Sequence, residues 1–134
     1  MNEFVLHPRL SADTRFVADW GLSRVLLMND ARYAWLVLVP RRAGAVELFD
    51  LSQPDRSALM EETTRAAQLL KKVRNAAKIN VGALGNLVPQ LHVHVVARHP
   101  GDPAWPGPVW GHGTAEPYAD SARDDFVARL RSAL

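Results

Sequence analysis

The run Gln90-Leu-His-Val-His-Val-Val96 places a carboxamide and two imidazoles at every second position of an otherwise apolar stretch. In a strand, successive side chains face opposite ways, so Gln90, His92 and His94 share one face and Leu91, Val93 and Val95 the other. Neighbours in the row stand roughly 7 Å apart, at about 3.3 Å per residue. Such a row is either a solvated strand face or a working surface. Two chemistries use a pair of imidazoles at this spacing. The first is metal ligation by neutral ring nitrogens. It needs a third ligand, and His99, Asp102, His112 and Glu116 are only loosely spaced candidates. The second is nucleophilic catalysis at phosphorus. A histidine whose Nδ1–H is held by a backbone carbonyl presents a bare Nε2, a competent nucleophile at neutral pH. A neighbouring imidazole can carry a proton to the leaving group or stabilise charge on the phosphoryl oxygens. Just upstream, Asn80, Gly85 and Asn86 offer amide and backbone N–H donors suited to an anion, above all phosphate.

The elements that must position this row are readable from periodicity. Ser23–Asn29, "SRVLLMN", is an apolar run stopped by the turn signal Asn29-Asp30, and Tyr33–Pro40, "YAWLVLVP", is β-prone and ends at proline. The pair reads as a hairpin, and the near-continuous apolar content of its second strand predicts cover on both faces. The segment "RRAGAVELF" carries a basic pair, a glycine turn and a short edge strand. Ser52-Gln-Pro-Asp55 is a helix start, with Ser52 as N-cap, Pro54 in the first turn and Asp55 near the positive helix end. Leu59, Thr63, Ala66, Leu70, Val73 and Ala77 follow as one stripe on one face. Ile79–Pro89 reads as a strand ending in a glycine-containing loop, and a strand from Gln90 to about Arg98 follows. His99–Gly113 is rich in proline and glycine, yet Trp105 and Trp110 argue against a loose linker and for packing over the sheet. Ser121–Leu134 is an amphipathic helix with Phe126, Val127, Leu130 and Leu134 inward. Arg98 is most simply a solvated strand end, and Arg41-Arg42 a solvated turn.

Composition narrows the class. The chain has 134 residues, enough for one domain over 1–134 with a real core. A net charge of +2 is too small to argue for nucleic acid or an anionic membrane as partner. The absence of cysteine excludes a disulfide framework, a thiol nucleophile and a Cys-ligated zinc. The N-terminus lacks the basic and apolar regions of a signal peptide, and no apolar run approaches the ~18 residues of a membrane span. A cytoplasmic location is the expectation.

"GNLVPQLHVHVVAR" resembles the signature of the histidine triad superfamily, His-φ-His-φ-His-φ-φ with φ apolar. Gln90 stands at the first histidine, His92 at the second and His94 at the third, with Ala97-Arg98 where Pro-Arg is frequent. "VLLMNDARYAWLVLVPRR" resembles that family's paired strands, in which an Asp or Asn after the first strand holds the nucleotide ribose. Asn29 is the best match for that contact and Asp30 a close second. The family often has Gly-His before the second strand's apolar run, where this chain has Ala34-Trp35. The likeness covers about residues 20–100. It implies an α+β fold with an antiparallel sheet of about five strands, a long central helix and a C-terminal helix. It also implies a homodimer sharing one continuous sheet. The implied activity is a hydrolase or nucleotidyltransferase that cleaves a phosphoanhydride or phosphoramidate at the α-phosphate, as in diadenosine polyphosphates. By position, His92 would form the nucleotidyl-histidine intermediate, His94 would assist the leaving group and the phosphoryl charge, and Gln90 would orient. Asn29 or Asp30 would meet the ribose, while Asn80, Gly85 and Asn86 would serve the phosphates. No cofactor or protein-bound metal is implied, although Mg²⁺ could accompany a polyphosphate. Two rival readings are a nucleotide-binding module that has lost turnover with its first histidine, and a metal-binding sheet protein.

Overall fold

The computed structural model describes residues 3–134. Met1 and Asn2, which open the stretch read for a signal peptide, lie outside the described residues. The elements run α1 Pro8–Asp13, β1 Thr14–Asp19, β2 Ser23–Met28, β3 Trp35–Pro40, α2 Gln53–Arg74, β4 Lys78–Gly82, β5 Val93–Arg98 and α3 Asp120–Ala133. One five-stranded sheet has the order β1-β2-β3-β5-β4, and every neighbouring pair is antiparallel. The fold is α+β, with the long central helix and the C-terminal helix expected from the sequence.

The central strands are buried on both faces, which is why β3 reads as unbroken apolar sequence. On one face Val25, Leu36, Leu38 and Val95 meet Leu59, Ala66 and Leu70 of α2 and Leu130 of α3. On the other, Leu26, Trp35, Val37 and Val96 are covered by Leu10 of α1 and by Ala104 and Val109 of the segment after β5. The row of histidines lies on this second face. No helix of the described residues is long and apolar enough to cross a membrane.

Helix α2 starts as its sequence dictates: the Ser52 side chain accepts from the Asp55 N–H, and Lys71, Lys72 and Arg74 sit in the last turn. It stops at Arg74 because Asn75 takes the left-handed conformation (φ 48°), a C-cap that asparagine tolerates. Ala77 therefore lies beyond the helical stripe, and its N–H bonds the Arg98 carbonyl instead.

Four further expectations are corrected. The edge strand read in "RRAGAVELF" is absent. The Asp50 carboxylate accepts from the N–H groups of Val46 and Glu47, so those donors close a turn before the 3-10 segment Leu48–Asp50 and leave nothing for a ladder. The last strand begins at Val93 rather than Gln90, since Pro89 has no N–H and the Leu91 N–H bonds Ala45 in the loop after β3. Leu134 is exposed rather than inward, lying past the end of α3. Arg98 is not solvated at all. It is 2% exposed and grips both carboxylate oxygens of Asp102, the Asn80 Oδ1 and the Gly107 carbonyl, tying β5 to β4 and to the segment after it.

Candidate active site

A cavity of about 530 Å³ opens on the second sheet face. His92 and His94 line it together with Gly85 and Asn86 from the loop after β4. The two imidazole centroids are 4.8 Å apart. Both rings are buried, yet each has a defined partner, as buried polar groups require.

Those partners assign the protons. The His92 Nδ1 lies 2.7 Å from the Gln90 backbone carbonyl. A carbonyl only accepts, so the proton sits on Nδ1 and the neutral ring leaves Nε2 bare. For His94 the logic reverses. The Trp35 indole Nε1–H donates to its Nδ1 at 3.0 Å. An indole nitrogen only donates, so this Nδ1 is bare and Nε2 carries the proton. Burial first, and the neighbouring His92 second, push the His94 pKa down to about 4. The site thus holds one ring with a free Nε2 lone pair beside one with an Nε2–H donor, and His94 stays neutral at pH 7.

Strand register explains the arrangement. His94 pairs with Val37 on β3, so Trp35, two residues away on the same face, is its diagonal neighbour and within reach of a long aromatic side chain. Across the other ladder His94 pairs with Gly82. There a Cβ would stand 3.0 Å from the Trp110 ring, so glycine lets that indole settle on the sheet. Trp110 packs edge-on against His94 and Trp35, with centroids at 5.6 and 6.4 Å.

At another part of the lining, Asp30 and Arg32 form a buried pair at 2.9 Å with side chains 2% and 9% exposed. Burial pushes the Asp30 carboxyl up, but bonds from the Arg32 side chain and from the Arg32 and Glu116 N–H groups outweigh it and hold the pKa below the usual carboxylate value. Arg32 also donates to the His112 carbonyl at 2.7 Å, fixing the segment that carries Trp110.

Of the residues singled out from the sequence, the fold brings His92, His94, Asp30, Gly85 and Asn86 to one cavity. Asn29 and Asn80 are not in its lining. The Asn29 Oδ1 accepts from the Tyr118 N–H and the Asn80 Oδ1 from Arg98. Gln90 borders a smaller adjoining cleft with His92, and its side chain turns to the N-terminal segment. Reasoning from the sequence missed Arg9, Leu10, Arg32 and Trp35 as lining residues, while Trp110 both packs over the sheet and lines the cavity. Arg32 carried a signal, being two residues from Asp30 in one short loop. Trp35 read only as a lost imidazole, although an indole keeps an N–H to donate. Among the described residues no group of three or more His, Asp or Glu could hold a metal ion.

Comparison with known proteins bears on the family and the fold. A family model described as "HIT domain" matches residues 9–101. The AP-4-A phosphorylase of Mycobacterium tuberculosis (strain ATCC 25618 / H37Rv) is 35% identical over 103 residues, which are 71% of this chain and 52% of that protein. The chain therefore spans about half the length of that curated relative. A crystal structure of a histidine triad (HIT) protein from Sinorhizobium meliloti 1021 shares 50% identity at a TM-score of 0.95, covering 98% of this chain and 97% of that one. A histidine triad protein from Bradyrhizobium japonicum shares 45% at a TM-score of 0.95 and covers 98% of each. With the family model spanning most of the chain, this protein belongs to the HIT domain family.

Proposed function

We propose that this chain is a cytoplasmic nucleotidyl hydrolase or transferase acting on a phosphoanhydride of the dinucleoside polyphosphate type. The observation that carries the reading is the pair of opposed hydrogen bonds on two adjacent imidazoles in one cavity, a carbonyl on the His92 Nδ1 and an indole N–H on the His94 Nδ1, from which a bare Nε2 on His92 and an Nε2–H on His94 follow. The His92 Nε2 lone pair attacks the α-phosphorus. The bond from phosphorus to the bridging oxygen breaks, and the leaving nucleoside polyphosphate departs with that electron pair. Water, or phosphate as acceptor, then attacks phosphorus; the P–Nε2 bond breaks, His92 recovers its lone pair, and where water is the acceptor its proton passes to bulk solvent through the open cavity. The His94 Nε2–H donates to a non-bridging oxygen as charge grows there. Gly85 and Asn86 serve the phosphates. The Asp30 and Arg32 side of the cavity receives the ribose, with Asn29 and Asn80 bracing the walls from behind. Gln90 orients His92 through its backbone carbonyl.

His94 is poorly suited to protonate a leaving group, because it is neutral at pH 7 and its Nδ1 is filled by the indole N–H. A polyphosphate leaves as a stable anion and needs no proton, whereas a phosphoramidate's amine does. That difference favours the anhydride. The Mycobacterium tuberculosis relative, an AP-4-A phosphorylase by name, points the same way. Mg²⁺ would come with the polyphosphate. The outer edge of β4, with Val81 exposed, is where a second copy would extend the sheet into a homodimer.

The test is rapid quench with labelled diadenosine tetraphosphate, with and without inorganic phosphate, followed by mass mapping. An adenylyl group is expected on His92, with no turnover in His92→Ala and a phosphoramidate cleaved far more slowly. Turnover that survives His92→Ala refutes the mechanism. Tight AMP binding with no label and no turnover would favour the rival reading, a nucleotide-binding protein.

A further inference from the structure

Gln90 borders the reacting imidazoles, but its side chain does not face the phosphate site. Its Oε1 accepts from the His7 N–H at 2.8 Å, and its Nε2 donates to the Val5 carbonyl at 2.9 Å. One carboxamide thus pairs with the backbone of residues 5 and 7 as a strand neighbour would, across more than eighty positions of sequence. The same residue's backbone carbonyl accepts from the His92 Nδ1 at 2.7 Å. Residue 90 therefore joins the nucleophile to the N-terminal segment.

That segment leads into α1. His7 is the N-cap, its Nδ1 accepting from the Arg9 N–H, and the six-residue helix Pro8–Asp13 follows. A helix so short does not hold itself in water. Its anchors are Leu10, buried against the sheet, and Phe4 and Leu6, partly buried beside it, while Val5 is exposed. Arg9, Leu10 and Asp13 line the same cavity as His92 and His94.

We propose that Gln90 is a positioning residue that latches residues 5–7 and thereby holds α1 as a wall of the nucleotide cavity, setting nucleotide affinity. The proposal rests on the nucleotide reading given above. Only a carboxamide makes both bonds, because it offers a donor and an acceptor side by side. A carboxylate has two acceptors and no donor. A histidine ring has its donor and acceptor on opposite edges, so it reaches one of the two backbone groups at a time. Glutamine at the first place of the row then reflects a second role for that position, and a proton carrier there is not needed by a leaving group that departs as an anion.

The experiment uses the full chain as wild type, Gln90→Met, Gln90→Glu and Gln90→His. It measures amide hydrogen exchange over residues 5–13, AMP affinity by titration calorimetry, and KM and kcat on diadenosine tetraphosphate. Thermal melts verify that each variant folds. In Gln90→Met, exchange protection over 5–13 is expected to fall. AMP binding should weaken about fivefold to tenfold, as expected when two partly exposed hydrogen bonds are lost. KM should rise in step, and kcat should fall by a smaller factor. Gln90→Glu keeps an acceptor for the His7 N–H and should lie between wild type and Gln90→Met. Gln90→His should group with Gln90→Met. Wild-type protection together with AMP affinity within twofold in Gln90→Met overturns the latch. So does a large gain in kcat for Gln90→His at unchanged AMP affinity, which would make residue 90 a proton carrier. If wild type itself fails to bind AMP, the nucleotide reading falls, and the exchange measurement still decides whether the latch exists.

Discussion

Trp35→Phe isolates one hydrogen, the indole N–H that fills the His94 Nδ1 at 3.0 Å. Phenylalanine keeps an aromatic ring in a site only 7% exposed, so the sheet face stays packed. One buried hydrogen bond is lost, about 1 kcal/mol net, and the smaller ring leaves a void that adds a similar amount. A total near 2 kcal/mol leaves a protein of ordinary stability folded. The catalytic effect is expected to be larger. With Nδ1 unfilled, His94 can place its proton there and turn a bare Nε2 towards the phosphoryl oxygens, so a donor becomes a repelling lone pair. Losing one such donor costs up to about 10²–10³ in kcat. Because only part of the population changes tautomer, a drop of roughly tenfold to a hundredfold is expected. The His94 pKa should rise from about 4 but stay under 6.5, because burial, its first cause, remains. Long-range ¹H–¹⁵N correlations of labelled histidine report the tautomer directly, and kcat is read on diadenosine tetraphosphate with Mg²⁺. Trp35→His keeps an N–H and should recover part of the loss. The reasoning is refuted by a Trp35→Phe protein whose His94 retains the Nε2–H pattern with kcat within twofold of wild type. A wild-type His94 that titrates near pH 6.5 refutes it equally.

Two other outcomes follow from the same geometry. The depressed His94 pKa makes stability pH-dependent: between its unfolded value of 6.5 and about 4 the unfolded chain binds the proton and the folded chain does not. Stability is therefore full above pH 6.5 and falls as pH drops towards 4, by up to about 3 kcal/mol. Asp30 and Asp102, whose carboxyls are lowered, give up their contribution only below pH 3.8. Urea unfolding at pH 7 and pH 4.5 should show the first loss, and His94→Gln should flatten it; a flat wild-type profile over that window contradicts the assignment. Gly82→Ala places a Cβ 3.0 Å from the Trp110 ring and should force the indole off His94 at a cost of about 1–3 kcal/mol. A red-shifted tryptophan emission and a lower Tm would register the displacement, and an unchanged melt would mean that the segment carrying Trp110 yields freely.

Much of the fold could be read locally. The Ser52 cap, the stripe from Leu59 to Val73 and the apolar run of β3 are set by side chains within four residues of one another, the range over which helical and strand periodicity operate. The alternation that puts His92 and His94 on one face is equally local. Periodicity fails where a polar side chain claims a partner that the alternation of apolar residues does not register, whether four positions away or many more. Arg98 looked like a solvated strand end until Asp102, Asn80 and Gly107 converged on it. The apparent strand near Val46 lost its donors to Asp50.

The sequence by itself determined that two imidazoles and a carboxamide would alternate along an apolar stretch beside a glycine- and asparagine-bearing loop. It could not say where their protons lie. That was decided by tertiary structure, because a histidine tautomer is set by whatever faces its other nitrogen. For His94 that group is an indole 59 positions away, reached only through the pairing of β3 with β5. The bonding of the Gln90 side chain was likewise decided 83 positions away, at the backbone of His7. Residue type fixes which bonds a side chain can make; only the folded chain's long-range packing fixes which of them it does make.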